Sequence, residues 1–231
     1  MKKVAFILTI LLMVSCGSNK EDNLVVNGKV RGLKKGTLYL QHLMDTTLVT
    51  VDSLEIDGDG TFSLSAQLES PEIYYLYLNK KDNNAINDRI TFFAEPGIIT
   101  INTDWNTFDT TAEIKGSPTQ EKLEEYQKAL SNINLRNMEI MLKASQLDAN
   151  SDPATMDSLE RIRTRNTQRA YAYSINYALN NKDSYISPYI AVKEIPDANL
   201  KYLDSIYKGL APEVANSKYG MDLKKLLEEN E

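Results

Sequence analysis

From Leu24 to Gly116 apolar and polar residues alternate with a period of two. Phe62, Leu64, Ala66 and Leu68 alternate with Thr61, Ser63, Ser65 and Gln67, the pattern of a half-buried antiparallel strand. Val26, Gly28 and Val30 alternate with Asn27, Lys29 and Arg31 in the same way. Further strands are predicted over Thr37–Leu43, Leu48–Ile56, Ile73–Asn79, Arg89–Ala94, Ile98–Asp104 and Thr111–Lys115. Lys35-Gly36, Asp57-Gly58-Asp59-Gly60, Lys80–Asn87 and Glu95-Pro96-Gly97 break the runs. Eight short strands without a helix between them point to an antiparallel β-sandwich or open barrel.

The period changes at Gly116. Ser117 is placed as an N-cap, Pro118 opens the helix, and Gln120 is set to close a capping box. Leu123, Tyr126, Leu130, Ile133 and Met141 then follow helical spacing to about Leu147. Asp152-Pro153 starts a second long helix, ending near Asn180. The short Asp148–Ser151 loop predicts that the two pair as an antiparallel hairpin. Ser187-Pro188 is expected to cap a shorter helix, and Asn199–Leu210 and Ser217–Asn230 supply two more. The fold class is therefore α+β, with the strands first and the helices after.

The N-terminus carries a different pattern. Lys2 and Lys3 precede the apolar run Val4–Val14, and Ser15 is followed by Cys16, the one cysteine of the chain. That order is a secretory signal, and the run is too short to span a membrane. Met13-Val14-Ser15-Cys16 resembles the lipobox of bacterial lipoproteins, with Met13 where leucine is usual. The resemblance implies cleavage before Cys16, which is then diacylated through its thiol and usually acylated on its new N-terminus, with palmitate among the chains. The alternative is an ordinary signal peptide with an incidental cysteine. The expected segments are a signal peptide over 1–15, a lipidated tether over 16–22, a β-sandwich over 23–116 and a helical region over 117–231. In some Gram-negative lipoproteins a patch like Lys20-Glu21-Asp22 directs export to the outer cell face; here a merely solvated tether is the equal alternative.

Charge narrows the partners. Of 231 residues, 26 are basic and 32 acidic; loss of Lys2 and Lys3 makes the balance more negative. Neither nucleic acid nor an anionic lipid surface suits that sign, so membrane attachment is expected through acyl chains. With Cys16 lipidated, no disulfide or Cys-x-x-Cys pair forms within one chain.

Asp52-Ser53, Asp57-Gly58-Asp59-Gly60-Thr61-Phe62, Phe92-Phe93-Ala94-Glu95-Pro96-Gly97 and Gly116-Ser117-Pro118 together resemble the domain of unknown function 4369. That domain commonly forms the N-terminal part of TlpA/ResA-like thiol–disulfide oxidoreductase lipoproteins. Ser187–Tyr189 and Tyr219–Leu227 are similar to the linker region before their thioredoxin-like domain. The sequence ends at Glu231, where that domain would begin, and holds no Trp-Cys-x-x-Cys; its single tryptophan, Trp105, falls in a turn of the β-region. No catalytic residue of the relatives can be carried onto this chain.

Candidate chemistry is sparse. Asp57-Gly58-Asp59-Gly60-Thr61 invites a calcium reading, but Leu68 stands where an EF-hand needs Glu, and Asp-Gly reads first as a hairpin turn. His42 shares parity with Leu38 and Leu40, and a lone histidine there reads as structural. Arg161, Arg165 and Arg169 recur every four residues; they would suit an anion, or would face Glu121, Glu124 and Glu125 or pair locally, as Asp157 with Arg161. Thirteen tyrosines stand out, with Tyr74, Tyr75 and Tyr77 on one strand and Tyr171, Tyr173 and Tyr177 on the second helix. The first three are the candidate ligand-binding residues, against the reading that they pack between sheet and helices. No metal, cofactor or catalytic residue is expected. The expected function is a non-catalytic, lipid-anchored binding or scaffold module of the cell envelope, at an outer membrane facing the periplasm or cell surface. Two alternatives stand beside it: an accessory subunit of a thiol–disulfide redox system working with a separate thioredoxin-like protein, and surface capture of a glycan or peptide; a thioredoxin-like or transport component is the possible protein partner.

Overall fold

The computed structural model describes residues 22–80, 88–147 and 153–230. Cys16, Lys20, Glu21 and the predicted loops over 81–87 and 148–151 lie outside them. Among the described residues, eight strands form two four-stranded sheets. The first contains β1 (Leu24–Arg31), β4 (Thr61–Ala66), β7 (Gly97–Asp104) and β8 (Glu113–Lys115), in the order β4-β1-β7-β8. The second contains β2 (Lys35–Met44), β3 (Thr47–Asp57), β5 (Glu72–Asn79) and β6 (Arg89–Ala94), in the order β3-β2-β5-β6. Two separate sheets make the sandwich, not a barrel. Every pairing is antiparallel except β1 with β7, which run parallel because the chain passes through the second sheet between them.

Alternation fills the space between the sheets. Val26 and Val30 of β1, Leu38 and Leu40 of β2, Phe62 and Leu64 of β4, Leu76 and Leu78 of β5, Phe92 of β6, and Ile99 and Ile101 of β7 are all buried there. The sandwich also closes along one edge. Asp52 on β3 accepts the Ser65 N–H of β4 at 2.9 Å, joining the two sheets through a side chain.

The Asp57–Gly60 turn differs from the expected hairpin: β3 and β4 belong to different sheets, so it arches between them. Gly60 (φ +78°) lies so close to β1 that a Cβ would fall 2.1 Å from the Val30 oxygen, and its own oxygen accepts the Val30 N–H at 2.9 Å. Asp59 accepts from Thr61 N, Thr61 Oγ1 and Lys29 Nζ at 3.0–3.1 Å, so both carboxylate oxygens are engaged within the turn.

The helices cover the outer face of the second sheet. They are α1 (Pro118–Ser145), α2 (Pro153–Asn180), α3 (Ile186–Tyr189), α4 (Leu200–Gly209), α5 (Pro212–Ala215) and α6 (Lys218–Glu228), with a π-turn over Ile190–Glu194 after α3. A second core joins them to Ile73 of β5 and Phe93 of β6, whose parity points away from the sandwich interior. Helices α1 and α2 form the expected antiparallel hairpin. Tyr126 bonds Ser174 at 2.8 Å near its base, and Asn166 donates to Asn137 at 3.0 Å farther out.

Candidate functional site

Two of the segments that carry the family resemblance, Phe92–Gly97 and Gly116–Pro118, hold the helical layer to the sheet. Ser117 caps α1 as expected, accepting the Gln120 N–H at 3.0 Å. Gln120 does not close the capping box. Its Oε1 instead accepts the Phe93 N–H of β6 at 2.8 Å, a buried donor of the sheet's edge strand. Glu95, from the turn between β6 and β7, satisfies other donors of the first turn. It accepts Ser117 Oγ (2.6 Å), Thr119 N (2.8 Å) and Thr119 Oγ1 (2.8 Å). Gly116 (φ +99°) allows the approach, since a Cβ there would fall 2.2 Å from the Ile98 oxygen. The Ser187-Pro188 cap is also replaced: Ser187 lies inside α3 and donates to the Ala178 oxygen of α2 at 2.8 Å.

Helix α6 is fixed to the same sheet by its first two residues. Lys218 N–H donates to Ser70 Oγ at 2.8 Å, and Tyr219 OH accepts the Ile73 N–H at 3.1 Å. The Lys218 ammonium bonds the Leu43 oxygen (3.1 Å) and pairs with Glu72, a buried carboxylate. The other oxygen of Glu72 lies 3.2 Å from His42 Nδ1, and the His42 ring stacks on Tyr74 at 5.0 Å. The single histidine is thus a structural member of a His42–Glu72–Lys218 chain linking β2, β5 and α6.

A cleft of about 500 Å³ opens beside this clamp, between the second sheet and the helices. The sheet contributes Tyr75 and Thr91, and the segment around the π-turn contributes Tyr189, Lys193 and Glu194. Tyr219 and Asp222 of α6 and Asp45 of the β2–β3 turn also line it, with the Glu72–Lys218 pair at its edge. The π-turn is defined by the Ile195 N–H reaching back five residues to the Ile190 oxygen (3.1 Å). Such wide turns recur at functional sites. Phe93, Tyr189 and Tyr219 pack edge to face, with centroids 5.3–6.0 Å apart. Lys193 lies 5.9 Å from the Tyr219 centroid, and Arg89 lies 5.6 Å from that of Tyr75. Among the described residues, neither Lys193 nor Asp222 belongs to an ion pair. Burial pushes the Tyr189 and Tyr219 phenols up, with Glu194 and Glu72 adding to the shift. Burial also raises Tyr75 against the opposing pull of Arg89. All three are neutral hydroxyls near pH 7.

The candidate tyrosines divide by parity. Tyr74 points into the sandwich and is buried against Phe92 and His42. Tyr75 reaches the cleft, and Tyr77 stacks on Tyr39 at 5.9 Å farther along the outer face. On α2, Tyr173 and Tyr177 stack with Tyr126 in the hairpin base. Tyr171 donates to Asp197 at 2.6 Å and borders a larger groove of about 610 Å³ toward α4. That groove is walled mainly by apolar groups such as Ile175, Leu179 and Tyr202 and offers a ligand little polar chemistry. Arg161 pairs with Asp157 at 2.9 Å as expected. Arg165 and Arg169 stand exposed, and among the described residues no ion pair joins them to Glu121, Glu124 or Glu125. Trp105 follows β7 and lies over Gly32. Among the described residues no group of three or more His, Cys, Asp or Glu side chains is arranged to hold a metal.

Lys193, Glu194 and Asp222 were not legible as site residues. They are ordinary surface charges in the sequence, and only the docking of α6 and the π-turn on one sheet brings them together.

Residues 24–123 match the Domain of unknown function (DUF4369). The β-sandwich is similar to that family over this span. The matched segment runs past β8 into the first turn of α1, the turn that Glu95 and Gln120 bond to the sheet. The DUF4369 motifs therefore read as structural braces: Asp52 joins the sheets, Asp59 and Gly60 shape the arch, and Glu95 seats α1. Comparison with curated proteins and with solved structures gave no match.

Proposed function

We propose that this protein is a non-catalytic, lipid-anchored module of the bacterial cell envelope that binds a peptide carrying both charges in the cleft beside α6. The anchor rests on the Met13–Cys16 lipobox and would place the domain at the outer membrane, facing periplasm or cell surface. The binding reading rests on one observation: Lys193 and Asp222 share an open cleft and neither is spent on an ion pair among the described residues.

The same geometry favours peptide over glycan. Sugars stack on open aromatic faces, but here Arg89 covers Tyr75 and Lys193 covers Tyr219. What remains open is polar: the Lys193 ammonium, the carboxylates of Asp45, Glu194 and Asp222, and the edges of the tyrosines. A peptide with one acidic and one basic side chain, or a free terminus, matches that set.

The test is an array of short peptides of varied charge beside an array of neutral oligosaccharides, probed with the purified protein. Binding to mixed-charge peptides that falls at least about tenfold in a Lys193→Ala/Asp222→Ala variant supports the proposal. Binding to oligosaccharides alone, or peptide binding untouched by the double variant, contradicts it.

A further inference from the structure

The arginine row of α2 continues the wall of the groove between α2 and α4. That groove holds about 610 Å³, and none of its lining residues is charged. Ala172, Ile175 and Leu179 of α2 face Ala198 and Tyr202 across it. Its polar groups are largely spent on near neighbours. Asn176 donates to the Ala172 oxygen at 2.8 Å, Thr167 to the Arg163 oxygen at 3.2 Å, and Tyr171 to Asp197 at 2.6 Å. Asn199 accepts the Lys201 N–H at 3.0 Å. The α2 wall runs from Thr167 to Leu179, about 18 Å along the helix. An extended hydrocarbon of about twelve carbons, at roughly 1.25 Å each, fits that length.

Positive charge stands on one flank of this trough. Arg165, Arg169, Ala172 and Asn176 follow i, i+4, i+7, i+11 spacing and so share one side of α2. Ala172 and Asn176 line the groove, and the two arginines carry the same flank toward the start of the helix. The ion pairs of α2 are Asp157–Arg161 and Glu160–Arg163. Arg165 and Arg169 are exposed and, among the described residues, belong to none.

We propose that the groove takes a single-chain amphiphile with a carboxylate head, the class of a free fatty acid. The tail lies along Ala172, Ile175 and Leu179, where every wall is neutral. The head meets the guanidinium forks of Arg165 and Arg169, whose paired donors match two carboxylate oxygens. The groove and its flank are thus complementary to both parts of such a ligand. The cleft beside α6 is not, since it sets the carboxylates of Asp45, Glu194 and Asp222 against one free ammonium.

The test is photolabelling of the full chain in its native membrane with a dodecanoate probe that carries a diazirine near its tail end, followed by mapping of the labelled peptides. Labelling is expected between Ala172 and Leu179 or between Ala198 and Tyr202. Excess dodecanoate should remove it, and dodecyltrimethylammonium, with the same tail and the opposite head, should not. Decanoate should compete roughly tenfold less well than dodecanoate, because each buried methylene is worth about fourfold in affinity. Arg165→Gln/Arg169→Gln should reduce labelling at least about tenfold. Ala172→Trp, which fills the trough from an exposed position, should abolish it, with circular dichroism unchanged in both variants. Lys193→Ala/Asp222→Ala should leave labelling as it is, which separates this site from the peptide cleft. No labelling in these two segments, the result if another protein fills the groove, would overturn the proposal. Equal displacement by the ammonium, or labelling untouched by the arginine variant, would overturn it too. Stronger displacement by dodecyl phosphate than by dodecanoate would overturn the carboxylate head.

Discussion

Removing the Glu95 carboxylate should detach the first turn of α1 from the sandwich. Glu95 accepts three hydrogen bonds, two from hydroxyls and one from the Thr119 backbone. Ser117 and Thr119 are themselves buried, so water reaches them poorly once the acceptor is gone. Hydrogen bonds to a charged group contribute about 1.5–3 kcal/mol each. The three share one carboxylate and one helix end, so they will not add in full. Glu95→Ala is therefore expected to cost about 3–5 kcal/mol, a large share of the 5–15 kcal/mol typical of a whole domain. For a chain of this size that lowers Tm by roughly 10 °C. Glu95→Gln keeps one acceptor and should lose about half as much. Urea and thermal unfolding followed by circular dichroism measure both, with exposed Glu55→Ala as a control expected within about 0.5 kcal/mol of the parent. A Glu95→Ala variant as stable as that control would refute the bracing role assigned to the family motif.

Three further outcomes follow from the same structure. Tyr219→Phe deletes the acceptor of the Ile73 N–H and should destabilise the protein by about 1–3 kcal/mol in urea unfolding, where a change under 0.5 kcal/mol would show that this bond is not made. Burial raises the Tyr74 and Tyr126 phenols to about 12 from an ordinary 10, so their contribution is whole below pH 10 and is lost as pH climbs toward 12. Absorbance of phenolate against pH should accordingly show a class of tyrosines that ionises only with alkaline unfolding; a single transition near 10 would contradict the burial. Asp59 is held down to about 2 from an ordinary 3.8, chiefly by its bond from Lys29, then by Thr61. Its contribution is present above pH 3.8 and fades as pH falls toward 2, so Asp59→Asn should flatten stability over that window, weakly and less in high salt because the site is exposed.

The strands were legible because each buries one face or both against a single partner layer, which imposes a strict period of two. Phe62, Leu64 and Ala66 illustrate this, and all three lie inside the sandwich. The helices were legible from Ser117-Pro118 and from the Leu123–Tyr126–Leu130 spacing. What the sequence could not show was partnership across long separations. Gln120 reads as a capping-box residue because local pattern cannot reveal the Phe93 N–H, 27 residues back, that claims its side chain. Asp57–Gly60 reads as a hairpin because turn chemistry fixes the bend but not the sheet into which each strand goes. His42 read as isolated because Glu72 and Lys218 lie 30 and 176 positions farther along the chain. The cleft suffers the same limit: its charges come from a π-turn and from α6, and neither announces itself as a site.

The most direct measurement is photo-crosslinking from inside the cleft in intact envelopes. Thr91 is exposed and borders the site, so a photoreactive side chain there can reach whatever occupies it. The account predicts adducts with peptide that a protease trims, formed from Thr91 and not from a matched probe at Lys225 on α6, and lost on Lys193→Ala/Asp222→Ala. Equal labelling at both positions, adducts that resist protease, or no adduct from Thr91 would contradict it.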